Sequence, residues 1–218
     1  ANTGPARDEK ITAIVAECAR MKIGLLPPDI NTSDVDFSIE GSQIRLGLSA
    51  VKNVGGAAID AILEGRKSGP FLSISDFTRR VDVSKVNRKT FESLIRAGAM
   101  DSFGKRSALL AAIPLVLADA HKNKKVSDTG QSGLFDGEDG ETKALDVELP
   151  DIPELTRNEI LFSEKELLGF YLTEHPLSQY GTVIASFATT PIAEITVERI
   201  GDRVTVIGMI TDIKKIIT

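Results

Sequence analysis

Two short glycine-bearing turns, each set between helical patterns, constrain this chain more than any other feature. They are Asn53-Val54-Gly55-Gly56 and Ser102-Phe103-Gly104-Lys105, and Ser102 follows Asn53 by 49 positions. In each an apolar residue stands between small residues, and in the first turn both neighbours, Asn53 and Gly55, tolerate φ > 0. Val54 or Phe103 is expected to plug into the core between the two helices and fix the turn. The next helix then begins with its first N–H groups free, and with no bulky Cβ beside them a phosphate can come close. The candidate phosphate donors are the backbone N–H groups of Gly55, Gly56, Gly104 and Lys105, assisted by Lys52, Arg106 and Ser107. One such turn is commonly no more than a link between helices. Two in matching register point to a paired binding module.

Charge supports this once it is read locally. The whole chain carries -5, which argues against nucleic acid, yet residues 41–112 hold twelve Lys and Arg against six Asp and Glu, and the remainder holds 14 against 25. A basic block inside an acidic chain is the footprint of a local phosphate-binding surface, although a small helical domain with an ordinary charged surface gives the same count. Aromatic residues make up 5% and Trp is absent, so base stacking is not the expected route to affinity. The single cysteine, Cys18, excludes an internal disulfide and a cysteine zinc site and fits a cytoplasmic setting. The longest apolar run, around Ala108 to Leu117, is too short to span a bilayer and contains Pro114, so no membrane partner is expected.

The fold class expected is mainly α: a tandem two-hairpin module, a flexible linker, and a partial β segment at the end of the sequence. Arg7 to Lys22 has helical spacing, with Pro27-Pro28 as the stop, and alternation through Val35, Phe37 and Ile39 and again over Gln43 to Leu48 predicts a hairpin around Gly41. Leu48 to Ile113 reads as four or five short helices. Their signals include Ser73 with Asp76 as a helix start, Thr90 to Ala97 ended by Gly98, and Ser107 to His121 perturbed at Pro114. Asn123 to Asp151 has linker composition. Thr156 to Glu159 forms a capping box for a helix that Pro176 is expected to end, and Gly201 to Thr218 alternates as strand. Strands need partners, so the sequence is expected to be cut from a longer polypeptide inside a β domain.

In the linker, Gln131-Ser132-Gly133-Leu134-Phe135 places an amide and two large apolar side chains in polar surroundings. Such a pair either folds back on the module or is an anchor for a pocket on a partner. Asp34 and Asp36, at i and i+2, would share a strand face and could hold Mg²⁺, but no third acid or phosphate clamp accompanies them, and a solvated face is the simpler account. His175 before Pro176 is expected to cap a helix rather than act as a base. No catalytic or metal-ligating residue is assigned.

Both turns resemble the helix-hairpin-helix motif, with Asn53 and Ser102 in place of its leading glycine and Ile59 where the first copy favours Ala. That resemblance implies sequence-independent contact with both backbones across the minor groove of duplex DNA. Gln131 to Phe135 resembles the bacterial sliding-clamp-binding motif, which implies that Gln131 bonds at the entrance of a groove on the clamp and that Leu134 and Phe135 fill it. A series of longer strings, among them Leu26-Pro27-Pro28-Asp29-Ile30-Asn31, Gly47 to Gly55, Gly69-Pro70-Phe71, Leu94 to Asp101 and Glu166 to Leu177, closely resembles the bacterial DNA polymerase III alpha subunit family.

By that resemblance residues 1–40 are the end of the fingers, 41–115 the tandem helix-hairpin-helix domain, 116–155 the clamp-binding tether, 156–180 a connecting helix and 181–218 the start of an OB domain. It implies a non-catalytic, cytoplasmic piece of a replicative polymerase whose partners are duplex DNA, the sliding clamp (beta subunit) and other replisome subunits. The family's palm aspartates and their Mg²⁺ lie upstream, so no cofactor is expected here. Two rival readings are a standalone helix-hairpin-helix scaffold in DNA repair and an adaptor that uses only the tether.

Overall fold

Apolar residues recurring at helical spacing form α1 (Pro5–Arg20). The computed structural model describes residues 5–129, 146–187, 190–191, 194–210 and 213–214. Helix α1 ends ahead of Pro27-Pro28, because Lys22 turns to φ 59 and the Ile23 N–H bonds the Cys18 carbonyl at 2.8 Å. The reversal at Lys22, not the proline pair, is the stop signal.

The expected hairpin is present as β2 (Ser38–Glu40) and β3 (Gln43–Arg45), antiparallel, with Ile39 opposite Ile44. A short β1 (Leu25–Leu26) adds to β3 in parallel, giving the order β1-β3-β2. Asp34 and Asp36 lie in the bend before β2 rather than on a strand, and they face different partners. Asp34 approaches Arg66 at 3.5 Å, whereas Asp36 accepts a bond from the Ser49 hydroxyl at 3.2 Å.

After a 3-10 turn at Leu48–Ala50 come α2 (Gly56–Arg66), α3 (Ile74–Arg80), α4 (Arg88–Arg96) and α5 (Arg106–Thr129). Side-chain caps set two of the starts. Ser73 accepts from the Asp76 N–H at 3.1 Å, and Asn87, which the sequence reading passed over, accepts from the Thr90 N–H at 3.0 Å. The core between these helices holds Phe71, Phe77 and Phe91 edge to face, with ring centroids 5.0 and 5.3 Å apart. Ile62, Leu94, Leu109 and Ile113 pack in the same cluster, fully or almost fully buried. Each such side chain contributes about 1.5–3 kcal/mol of transfer free energy.

Helix α5 runs through Pro114 without a break and continues past His121 to Thr129, so residues 123–129 are helical where linker composition suggested otherwise. Proline removes a single i to i−4 bond, and the buried row Leu109, Ala112, Ile113, Val116 and Ala120 holds the helix on both sides of it. Residues 146–155 also depart from a free linker: Val147 and Leu149 pack against the core, and the Val147 N–H donates to the Ser75 hydroxyl at 2.9 Å.

Helix α6 (Arg157–Leu168) starts at the expected capping box, in which Thr156 and Glu159 satisfy each other's backbone N–H. It ends at Gly169, φ 92, before the Pro176 assigned as its stop. Leu167, Leu168 and Phe170 belong to the same core cluster as the hairpin helices.

The chain divides into two units, Ala1–Leu172 and Thr173–Thr218. The second contains a 3-10 turn (Pro176–Tyr180) at whose start His175 Nδ1 accepts from the Leu177 N–H at 3.2 Å, so His175 caps the turn that follows it and not the end of α6, which Gly169 has already closed. It also contains α7 (Gly181–Phe187). Residues 202–210, whose alternation predicts strand, form no ladder among the described residues, since a strand needs a partner edge to satisfy its backbone. Among the described residues no helix is long and apolar enough to cross a membrane.

Candidate nucleic-acid interface

The first turn is built by α4 and α6 as much as by its own sequence. Asn53 takes φ 69, the left-handed region that an Asn side chain tolerates. Its carbonyl accepts from the Thr90 hydroxyl at 2.9 Å, its amide donates to the Ser93 hydroxyl at 3.1 Å, and the Lys52 N–H donates to the Leu167 carbonyl at 2.9 Å. Val54 is the expected plug, 9% exposed and inside the core cluster.

Gly55 does not use a positive φ. It is extended at φ -86, ψ 163, and stands as the N-cap of α2 with no side-chain cap on that helix. What glycine supplies here is space, because a Cβ added at Gly55 or Gly56 meets nothing within 4 Å. The protein's own packing therefore does not require glycine at either position.

Beside this helix start runs a shallow groove of about 480 Å³, whose far wall is the loop leading into α4 and whose lining includes Gly55, Ala57, Lys85, Asn87 and Thr90. Lys85 was not among the residues singled out from sequence. It lies thirty positions beyond Gly55, and only the packing of α4 against the turn brings it there.

The positive surface is narrower than the count of basic residues suggests. Arg45 pairs with Glu40 at 2.6 Å, Arg80 with Asp76 at 2.8 Å and Arg106 with Asp101 at 2.8 Å, all with the arginine side chain largely buried. Within residues 41–112, Lys85, Lys89 and Arg96 are exposed cations outside any ion pair. All three lie in the loop before α4 or on α4 itself.

The second turn has the same plan and a different state. Ser102 is exposed in a 3-10 turn (Asp101–Phe103), Phe103 packs partly against the core, Gly104 takes φ 143, and Ala108 is buried. Helix α5 begins two residues after Gly104, where α2 begins one residue after Gly55. The first N–H groups of α5 are engaged by the chain itself, Arg106 N–H donating to Glu154 at 2.8 Å and Ser107 N–H at 3.0 Å, and of the two N–H groups expected to meet phosphate here, Gly104 donates to the Asp101 carbonyl at 3.4 Å. Lys105 Nζ bonds Asp151 at 2.9 Å and the Ile152 carbonyl at 3.2 Å. The Arg106 side chain, 10% exposed, turns inward. A Cβ at Gly104 would meet Leu149 at 3.1 Å.

The carboxylates register this contact. Burial raises the Glu154 carboxyl, but the N–H groups of Ser107, Leu155 and Arg106 outweigh it and hold the group below its ordinary value. Lys105 lowers Asp151 in the same sense. For Arg106, burial works against the charge and Asp101 more than restores it, so the guanidinium is held above its ordinary value.

Gln131, Ser132, Gly133, Leu134 and Phe135 lie outside the described residues. Among the described residues no group of three His, Cys, Asp or Glu side chains could hold a metal ion.

A helix-hairpin-helix motif model matches residues 22–109. The DNA polymerase III subunit alpha of Pseudomonas fluorescens is 35% identical over 223 residues, taking in 93% of this chain and 19% of that protein. Its counterpart in Thermus aquaticus is 38% identical over 209 residues, 94% of this chain and 17% of the relative. That of Bacillus subtilis is 39% identical over 174 residues, 79% of this chain and 15% of the relative. The chain thus spans about a fifth or less of the length of the curated relatives it matches.

Proposed function

Because this chain is related in sequence, over most of its length, to part of the bacterial DNA polymerase III alpha subunits, we propose that it is a non-catalytic DNA-holding region of such a replicative polymerase. It grips duplex DNA by its phosphates through the first hairpin and, when available, the second. Residues 131–135 tether it to the sliding clamp.

The observation that carries the proposal is the open, uncapped start of α2. Gly55 and Gly56 leave room that no protein atom fills, and helix N–H groups with a partial positive charge face that room. Lys85 adds a full positive charge at the groove wall. Contacts of this kind bind backbone without reading bases, so affinity is expected to be sequence-independent and to fall as salt rises.

The test is a titration of the full chain with short duplexes of unrelated sequence across salt concentrations, beside Gly55→Val. Wild-type binding that weakens with salt and is lost in Gly55→Val supports the reading. Equal affinity in the two proteins removes it. Gly104→Val is a poorer probe, since φ 143 and the nearby Leu149 make that substitution a fold defect as well.

Residues 131–135 supply the second contact in this proposal. A weak peptide anchor and a weak DNA grip on one chain raise each other's effective concentration, so two modest affinities give a durable hold.

A further inference from the structure

The two hairpins are alike in plan and opposite in occupancy. At α2 the helix start is open. At α5 a segment of the same chain crosses the helix start and fills it. Residues 146–155 run from α3, where Asp146 pairs with Arg79 at 3.0 Å, to the second turn, where Leu149 abuts Gly104, Asp151 pairs with Lys105 and Glu154 takes the N–H groups of Arg106 and Ser107. Glu154 places its two oxygens on adjacent backbone N–H groups at a helix N-terminus, with a lysine ion pair beside them. That is the arrangement an oxyanion of a phosphodiester takes at such a site.

We propose that residues 146–155 are an internal competitor for DNA: a latch that closes the second hairpin with a carboxylate in the position of a phosphate and must be displaced before that hairpin engages the duplex. The inference rests on the duplex reading above and concerns its regulation. Its consequence is that the free chain is a one-handed grip, held by the first hairpin, and becomes two-handed only when the backbone outcompetes Glu154 and Asp151. The latch follows directly on residues 130–145, so the same stretch of chain that carries the proposed clamp anchor ends in the element that closes the second hairpin.

The latch is held by charge, which defines the test. The full chain is titrated by fluorescence anisotropy with a short blunt duplex, comparing wild type, Glu154→Gln and Glu148→Gln. Glu148 is exposed in the same segment and its replacement removes the same charge without touching α5. Glu154→Gln is expected to bind about threefold to fivefold more tightly than Glu148→Gln, the range set by one anion at a helix start. In wild type, saturating duplex is expected to raise hydrogen exchange at the Val147 N–H, whose bond to Ser75 holds the segment in place. Equal affinities for the two variants, or tighter binding by Glu148→Gln, overturn the latch and leave the duplex reading standing on wild-type binding. Absence of duplex binding by all three proteins overturns both.

Discussion

Arg106 grips Asp101 with two parallel bonds, Nε to Oδ1 at 2.9 Å and Nη2 to Oδ2 at 2.8 Å, while its third nitrogen reaches the Arg96 carbonyl at 3.0 Å. The side chain that basic composition offers to DNA is thereby a brace joining the end of α4 to the start of α5. Arg106→Ala is expected to destabilise the fold by about 2–3 kcal/mol, because it strands a carboxylate and a carbonyl that the fork had satisfied. Arg106→Lys is expected to recover little, since a single ammonium cannot make the paired bonds. Urea unfolding measures both. An unchanged midpoint with lost duplex affinity would return Arg106 to the DNA surface.

At Gly56 stability and binding are expected to move in opposite directions. Helix favours Ala over Gly, and nothing stands within 4 Å of the added Cβ, so Gly56→Ala should raise stability by a few tenths up to about 1 kcal/mol. The same methyl narrows the approach to the α2 N–H groups and should weaken duplex binding several-fold. Thermal unfolding and anisotropy on one preparation decide the matter, and binding that stays level with stability gained would show that no ligand uses the space.

Lys85→Ala is expected to weaken duplex binding by a similar factor for every sequence and to lower the salt slope by about one, the signature of one lost phosphate contact. The comparison is Lys67→Ala, a lysine paired with Glu64 at 2.6 Å on the end of α2 remote from the turn, which should leave the slope alone. Identical slopes for the two variants would take Lys85 out of the interface.

Protonation should open the latch. Glu154 is held below its ordinary value in the folded chain, so its contribution is fully present above the ordinary Glu range and is lost as pH falls through the lower, folded-state value. The Arg106 and Ser107 N–H groups should therefore exchange faster with acid relative to the intrinsic rate, below the pH at which a free Glu titrates. Glu154→Gln should abolish that pH dependence. A profile unchanged by the substitution assigns the transition to another group.

For the tether, Leu134→Ala with Phe135→Ala is expected to remove binding to a purified bacterial clamp while duplex affinity stays near its starting value, because large side chains concentrate interface energy. Calorimetry on the full chain reads the first and anisotropy the second. Clamp binding that survives the double truncation returns Gln131 to Phe135 to chance resemblance.

What the sequence made legible was local. Ser73 with Asp76, Thr156 with Glu159 and the plug at Val54 are each specified within four residues, and each is found. Helix ends were harder where two signals competed: Gly169 precedes Pro176 and takes the C-cap, and Lys22 reverses the chain before the proline pair is reached. The far-side features were not legible at all. Lys85 enters the groove through the packing of α4, and Glu154 reaches α5 across nearly fifty residues from a segment whose polarity suggested solvent. A hydrogen bond to a distant backbone N–H leaves no periodicity behind it, and an acidic residue is spelled the same whether it faces water or a helix start.

The Lys52 N–H bonded to the Leu167 carbonyl stitches α6 to the first hairpin, and Glu154 stitches the chain just before α6 to the second. The span 130–145 therefore leaves from α5 and returns to the same body on which both hairpins are built. A load applied between those two ends would be carried by two roots rather than one. On the proposed clamp contact at residues 131–135, a pull on the clamp would reach the hairpins through both roots at once and so would orient the proposed DNA grip as well as hold it near.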